Sequence, residues 1–173
     1  MASSDKNSPP TGKPSTLVWF LATGGGSGDL PKAPGTWGSL AALPCAAILV
    51  MLGGPWLLSL AILLAFVVGV WASGKYAEAI GLGDPGSVVI DEFAGQWLAI
   101  LPLALDWRYY IVAFIFFRLF DIFKPWPCRA AERAPGGVGI MLDDIAAGLY
   151  AAIFTWLIAV WLGAGKTLPT LFG

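Results

Sequence analysis

Apolar residues gather in five runs separated by polar turns, at about 39–52, 56–72, 93–105, 109–123 and 145–162. None alternates with the period of two that marks a half-buried strand, and the runs are rich in Ala and Leu, so the pattern predicts helices. The second and fifth runs approach the ~20 residues that a helix needs to cross a hydrocarbon core. The other three are shorter and are expected to be tilted, half-spanning or packed inside a bundle. Gly53-Gly54-Pro55 separates the first two runs, and Pro102 punctuates the third. Small residues recur inside the runs (Ala41, Ala42, Ala46 and Ala47; Gly69 and Ala72; Ala94 and Gly95; Ala146, Ala147 and Gly148), a composition that lets helices approach closely in lipid. The predicted architecture is all-α: an integral-membrane multi-helix bundle of about five apolar helices with a polar cytoplasmic face.

Composition sharpens this picture. The 173 residues are 57% hydrophobic and 12% charged, against about 25% charged in a typical soluble domain. Mean hydropathy is +0.75. The length suggests one domain, 16–165, preceded by a polar Ser/Pro-rich tail, 1–15, and followed by a short tail, 166–173. A net charge of −1 offers no basic field for nucleic acid. If all five runs cross the bilayer, the loops sort into two sets. Lys6, Lys13, Lys32, Lys75, Arg118, Lys124, Arg129 and Arg133 fall on one side, and only Arg108 and Lys166 on the other. The positive-inside bias then places the first set, and the N-terminus, in the cytoplasm.

The acids follow the same sidedness. Asp84, Asp91, Glu92, Asp121, Glu132, Asp143 and Asp144 all lie in the cytoplasmic set or at its membrane edge, and Asp106 lies opposite. Asp91-Glu92 and Asp143-Asp144 each open an apolar run. Acids in a first helical turn also complement the helix dipole, but two such pairs on one side suggest a shared site. Arg118, Asp121 and Lys124, spaced i, i+3, i+6, can form a charged ladder on one helix face. Charge at a membrane edge is otherwise paired or functional. Glycine-rich stretches, 22–40 and 134–142, approach helix starts and expose N–H groups suited to an anionic oxygen ligand. The chain has no histidine, which excludes histidine nucleophiles, triads and ligands. Cys45 and Cys128 show no metal spacing, and Ala134 occupies the position where a cysteine phosphatase starting at Cys128 needs arginine. Clustered carboxylates need a compensating cation, and oxygen-only donors suit magnesium. Arg118, Lys124 and Arg129 suit a phosphate. Metal, phosphate and lipid edge together suggest chemistry on a phospholipid headgroup.

Four blocks, GSGDLPKAPGTWGSL, SVVIDEFAGQW, FRLFDIFKPWP and GGVGIMLDDIAAG, resemble in order the motifs of the phosphatidylglycerophosphatase A family. The resemblance implies a magnesium-dependent enzyme that hydrolyses the terminal phosphate of phosphatidylglycerophosphate at the cytoplasmic face of the bacterial inner membrane, as a multi-pass protein. On that reading Asp91, Glu92, Asp121, Asp143 and Asp144 hold magnesium, with Asp91, Asp121 and Asp144 catalytic. Arg118, Lys124 and Arg129 neutralise phosphate, and Thr36 and Ser39 touch the headgroup. The expected partners are the phospholipid substrate and the membrane, with no nucleic acid. The oligomeric state is left open. The alternative is a non-enzyme, a cation carrier or channel with an acidic cytoplasmic site, whose acids should line a pathway deep in the membrane.

Overall fold

The structure, a computed structural model, describes residues 12–162. Most of the predicted N-terminal tail and all of the C-terminal tail, with Lys6 and Lys166, lie outside the described residues. The described chain is helical, with no strand among the described residues.

Among the described residues six α-helices follow one another: α1 (Thr16–Ala22), α2 (Pro34–Ile80), α3 (Ile90–Ile100), α4 (Arg108–Phe123), α5 (Cys128–Ala131) and α6 (Gly137–Trp161). The 47 residues of α2 would reach roughly 70 Å if straight. They do not run straight, because Gly53 and Gly54 leave helical geometry, Gly54 with φ of +65° and ψ of −163°. The two limbs, 34–52 and 55–80, fold back on each other. Gly38 on the first limb packs against Val89, and Gly69 on the second lies beside Ile90, the next residue along. Ala46 and Leu58 share one core across the hairpin. The first two predicted runs are thus the limbs of α2.

Helix α3 is short but central, packing on α2, α4 and α6. The Trp97 indole N–H donates to the Ala42 carbonyl at 2.9 Å and ties α3 to the first limb. Against α6 the approach is backbone to backbone: a Cβ on Gly148 would stand 2.4 Å from the Gly95 carbonyl oxygen. The small residues singled out in these runs therefore do what their size allows. Ala99, Ile100, Phe117, Ala147 and Ala151 build the core between α3, α4 and α6.

Several boundaries differ from the sequence pattern. Helix α1, capped by Ser15, which accepts from the Val18 N–H at 3.4 Å, falls in a stretch expected to be loop. Helix α2 starts at Pro34, where a proline needs no N–H partner, and continues to Ile80. Helix α6 starts at Gly137, so Asp143 and Asp144 lie about two turns inside it and do not open it. A glycine-rich run reads as loop by propensity. Here it is helical because Gly137 packs on the backbone of α2, where a Cβ would stand 2.0 Å from the Val70 carbonyl oxygen.

Among the described residues two helices, α2 and α6, are long and apolar enough to cross a membrane. Only 6% of the most apolar stretch of α2 is buried, unlike the mostly buried core helix of a soluble protein. Ile111, Ile115, Leu119 and Ile122 make an exposed apolar stripe along α4, and Leu149, Ile153, Trp156 and Val160 one along α6.

Candidate active site

Helices α3, α4 and α6 bring charged side chains to one end of the bundle, beside the start of α2. Asp91 and Glu92 stand in the first turn of α3. Asp144 comes from the first third of α6. One carboxylate oxygen from each of these three acids lies within 4.8 Å of the others. Asp91 and Asp144 are buried, and Glu92 is nearly so. Among the described residues, Glu92 Oε2 and Asp144 Oδ2 are buried with no hydrogen-bond partner. Burial first, and the charge of Glu92 next, push the Asp91 carboxyl well above the ordinary aspartate range. Burial also raises Glu92, against the opposing pull of Arg118. Three crowded carboxylates with orphaned oxygens are costly unless a cation joins them. An all-oxygen set of this kind fits a hard divalent ion such as magnesium and offers nothing to a soft metal.

Asp121, near the end of α4, stands beside the triad. Its Oδ2 is 2.8 Å from Arg118 Nη1, and its charge lies close enough to act on the Asp144 carboxyl. The same guanidinium nitrogen donates to Ser39 Oγ at 3.3 Å and lies 4.0 Å from Glu92 Oε1, while Arg118 Nε is buried without a partner among the described residues. Arg118 therefore joins α4 to α2 and α3. The start of α2 comes close because residue 35 is glycine: a Cβ there would stand 2.1 Å from Glu92 Oε1 and 3.2 Å from Arg118 Nη1.

Asp143 faces another way. Neighbouring residues on a helix point about 100° apart, so Asp144 turns into the triad while Asp143 Oδ2 accepts from Lys124 Nζ at 2.7 Å. Lys124 also pairs with Glu132 at 3.1 Å. Partial burial works to lower the Lys124 ammonium, but bonds to Asp143 and Glu132 outweigh it and hold the pKa above its ordinary value. Only the Arg118–Asp121 half of the predicted ladder forms. Lys124 ends α4 with a left-handed φ of +44°, which carries its side chain off the helix face and towards α6.

The remaining predicted residues spread around this centre. Ser39 is buried, donating to the Gly35 carbonyl at 2.8 Å as well as accepting from Arg118. Thr36 is half-buried in the first turn of α2, its N–H donating to the Ala33 carbonyl at 2.9 Å. Arg129 is exposed and donates to the Phe123 carbonyl at 3.4 Å, and it forms no ion pair with an acid among the described residues. Sequence reasoning missed Gly35, the pairing of Glu132 with Lys124, and Gln96. Gln96 is fully buried one helical turn after Glu92, with both amide atoms unpartnered among the described residues. The legible signal was the i, i+4 spacing of Glu92 and Gln96 in an apolar helix.

Comparison with known proteins agrees with the motif blocks. Residues 20–159 match the family model described as Phosphatidylglycerophosphatase A. A phosphatidylglycerophosphatase A of Escherichia coli strain K12 is 44% identical over 136 residues, which cover 77% of this chain and 78% of the relative. One from Haemophilus influenzae strain Rd is 40% identical over 147 residues, 84% of this chain and 90% of the relative. A protein of Bacteroides thetaiotaomicron named putative phosphatidylinositol-3-phosphatase is 39% identical over 163 residues, 84% of this chain and 98% of the relative. No solved structure matches significantly.

Proposed function

The chain belongs to the phosphatidylglycerophosphatase A family, and from that premise we propose that it hydrolyses the terminal phosphate of phosphatidylglycerophosphate, giving phosphatidylglycerol and inorganic phosphate, in a magnesium-dependent reaction. The observation that carries this is the convergence of Asp91, Glu92 and Asp144, with two carboxylate oxygens left unpartnered. These three acids would hold the ion. Bound there, magnesium would supply positive charge to offset that of the phosphoryl oxygens.

The rest of the chemistry falls to the chain. Arg118, with an unpartnered Nε, is placed to donate to a phosphate oxygen. Asp121, close to the triad but outside it, takes a proton from the attacking water. The water oxygen bonds to phosphorus as the bond from phosphorus to the glycerol oxygen breaks, and the leaving oxygen takes up the proton that Asp121 received, which returns Asp121 to its carboxylate form. Lys124, shared by Asp143 and Glu132, fixes the loop after α4 against α6. The acyl chains remain in lipid, so only the headgroup has to reach the polar end of the bundle.

The placement we infer is a multi-pass protein of the bacterial inner membrane with its acids on the cytoplasmic side. The outward apolar stripes on α4 and α6 and the eight-to-two distribution of basic residues support it. A carrier or channel is not favoured. The acids stand at the start of α3, about two turns into α6 and near the end of α4, all towards one end of the bundle, and do not line a path through it.

Both substrates named among the relatives place a phosphomonoester beyond an internal phosphodiester. The test is phosphate release from phosphatidylglycerophosphate, phosphatidylinositol 3-phosphate and phosphatidic acid by the purified chain, with and without magnesium. Rapid magnesium-dependent release from phosphatidylglycerophosphate supports the proposal. Absence of release from every lipid, or release unaffected by a chelator, contradicts it.

A further inference from the structure

Where α4 ends, the chain turns through Pro125 into α5 and leaves a cleft of about 360 Å³. Phe123, Lys124, Trp126, Arg129 and Arg133 line it. Its size is within the range of small-ligand sites. Its charge is unbalanced. Lys124 is neutralised by Asp143 and Glu132, but among the described residues Arg129 and Arg133 form no ion pair with any acid. Both line the cleft, Arg129 from within α5 and Arg133 from the turn just past its end. The surface of the cleft is otherwise mostly apolar, and Trp126 and Phe123 are 81% and 68% exposed. A cleft with two uncompensated cations and an exposed aromatic rim fits an anion carried by an amphiphile at a membrane surface.

Lys124 is common to this cleft and to the active site, where it touches Asp143, the neighbour of Asp144. On the reading proposed above, the substrate brings two phosphates: the monoester held among the acids, and a phosphodiester one glycerol unit closer to the acyl chains. We infer that the cleft binds this internal phosphodiester through Arg129 and Arg133. It thereby selects phosphomonoester lipids that contain a diester over phosphatidic acid, whose monoester is joined directly to diacylglycerol. Guanidinium groups pair with phosphate oxygens in a fixed two-point geometry that an ammonium lacks. A lipid without the diester leaves that pairing unmade.

The inference rests on the phosphatase reading, and the experiment separates the two. Phosphate release is measured in micelles of uncharged detergent, with phosphatidylglycerophosphate and phosphatidic acid as parallel substrates, for the wild type, Arg133→Ala, Arg129→Ala and Arg133→Lys. The wild type is expected to prefer the diester-containing lipid. Each alanine variant should cut that preference about tenfold, the scale of one charge-assisted contact at an exposed site. The loss should fall on KM for phosphatidylglycerophosphate, and Arg133→Lys should restore part of it. Phosphatidylglycerol, which keeps the diester and lacks the monoester, should inhibit the wild type at lower concentration than the alanine variants. A fall of equal size on both substrates, reversed by adding an anionic carrier lipid, would show a surface that merely holds the protein to membranes and would overturn the inference. Unchanged preference and unchanged inhibition would overturn it too. A wild type inactive on both lipids would instead remove the phosphatase reading on which the inference stands.

Discussion

At the scale of single residues, the decisive feature is the crowding of Asp91, Glu92 and Asp144. Asp144→Asn keeps the volume and removes a charge, so the fold should persist. Phosphate release should fall at least about 100-fold, the scale at which loss of a contact made in the transition state registers; a variant with full activity would remove Asp144 from the centre. The same crowding has a consequence for stability. Asp91 and Glu92 have folded pKa values raised by burial, so the folded state holds protons more tightly than the unfolded one. Their contribution is unfavourable at neutral pH without metal, and it is relieved as pH falls through the raised values towards the ordinary carboxylate range. The metal-free protein should therefore melt at a higher temperature near pH 5 than near pH 8, and magnesium should raise the melting temperature at pH 8. At 100 times its dissociation constant the ion would contribute about 2.7 kcal/mol. A melting curve indifferent to both pH and magnesium would count against the cluster as a cation site. The acids were legible because charges in so apolar a sequence need a reason. Which three of the five would meet was not legible, since that depends on where α6 begins.

At the scale of elements, two close approaches shape the site. Gly35 lets the start of α2 reach Glu92 and Arg118, and Gly148 lets α6 lie against the backbone of α3 at Gly95. Gly35→Ala should push the Glu92 carboxylate aside and reduce turnover by about tenfold or more while leaving the melting temperature nearly unchanged. Gly148→Val should wedge α3 from α6 and lower stability and activity together, with a cost of about 1–3 kcal/mol typical of overpacking. Thermal melts and turnover measured on the same preparations distinguish the two cases. The hairpin of α2 was readable from Gly53-Gly54-Pro55, because that triplet cannot continue a helix. The glycine-rich start of α6 was not, because its helicity comes from packing against Val70 on α2, which no local pattern records.

At the scale of the whole molecule, the chain separates a polar end, where the acids, Arg118 and Lys124 gather, from an apolar body with little charge. Trp56 at the α2 hairpin, Trp107 before α4 and Trp161 at the end of α6 are 70%, 76% and 80% exposed, and all three stand at helix ends remote in sequence from the acids. Tryptophan favours membrane–water boundaries, so these residues are placed to mark the far edge of the bilayer. Leu52→Cys, at the hairpin, should react with an impermeant thiol reagent added outside the cell, and Glu78→Cys, near the end of the second limb, only after the membrane is opened. The reverse pattern would invert the inferred orientation. The helical class and the sidedness of charge could be read from the sequence, since both follow from composition along the chain. The meeting of four helices around one small volume is a tertiary fact.

The most direct measurement is equilibrium binding of manganese, as a spectroscopic substitute for magnesium, to the purified full chain by electron paramagnetic resonance. The wild type should bind a magnesium-competable ion, with Asp91→Asn, Glu92→Gln and Asp144→Asn each weakening binding by about tenfold or more and Asp106→Asn, on the opposite end, leaving it unaltered. Failure of the wild type to bind, or equal binding by the three triad variants, would contradict a divalent-ion centre built from these acids.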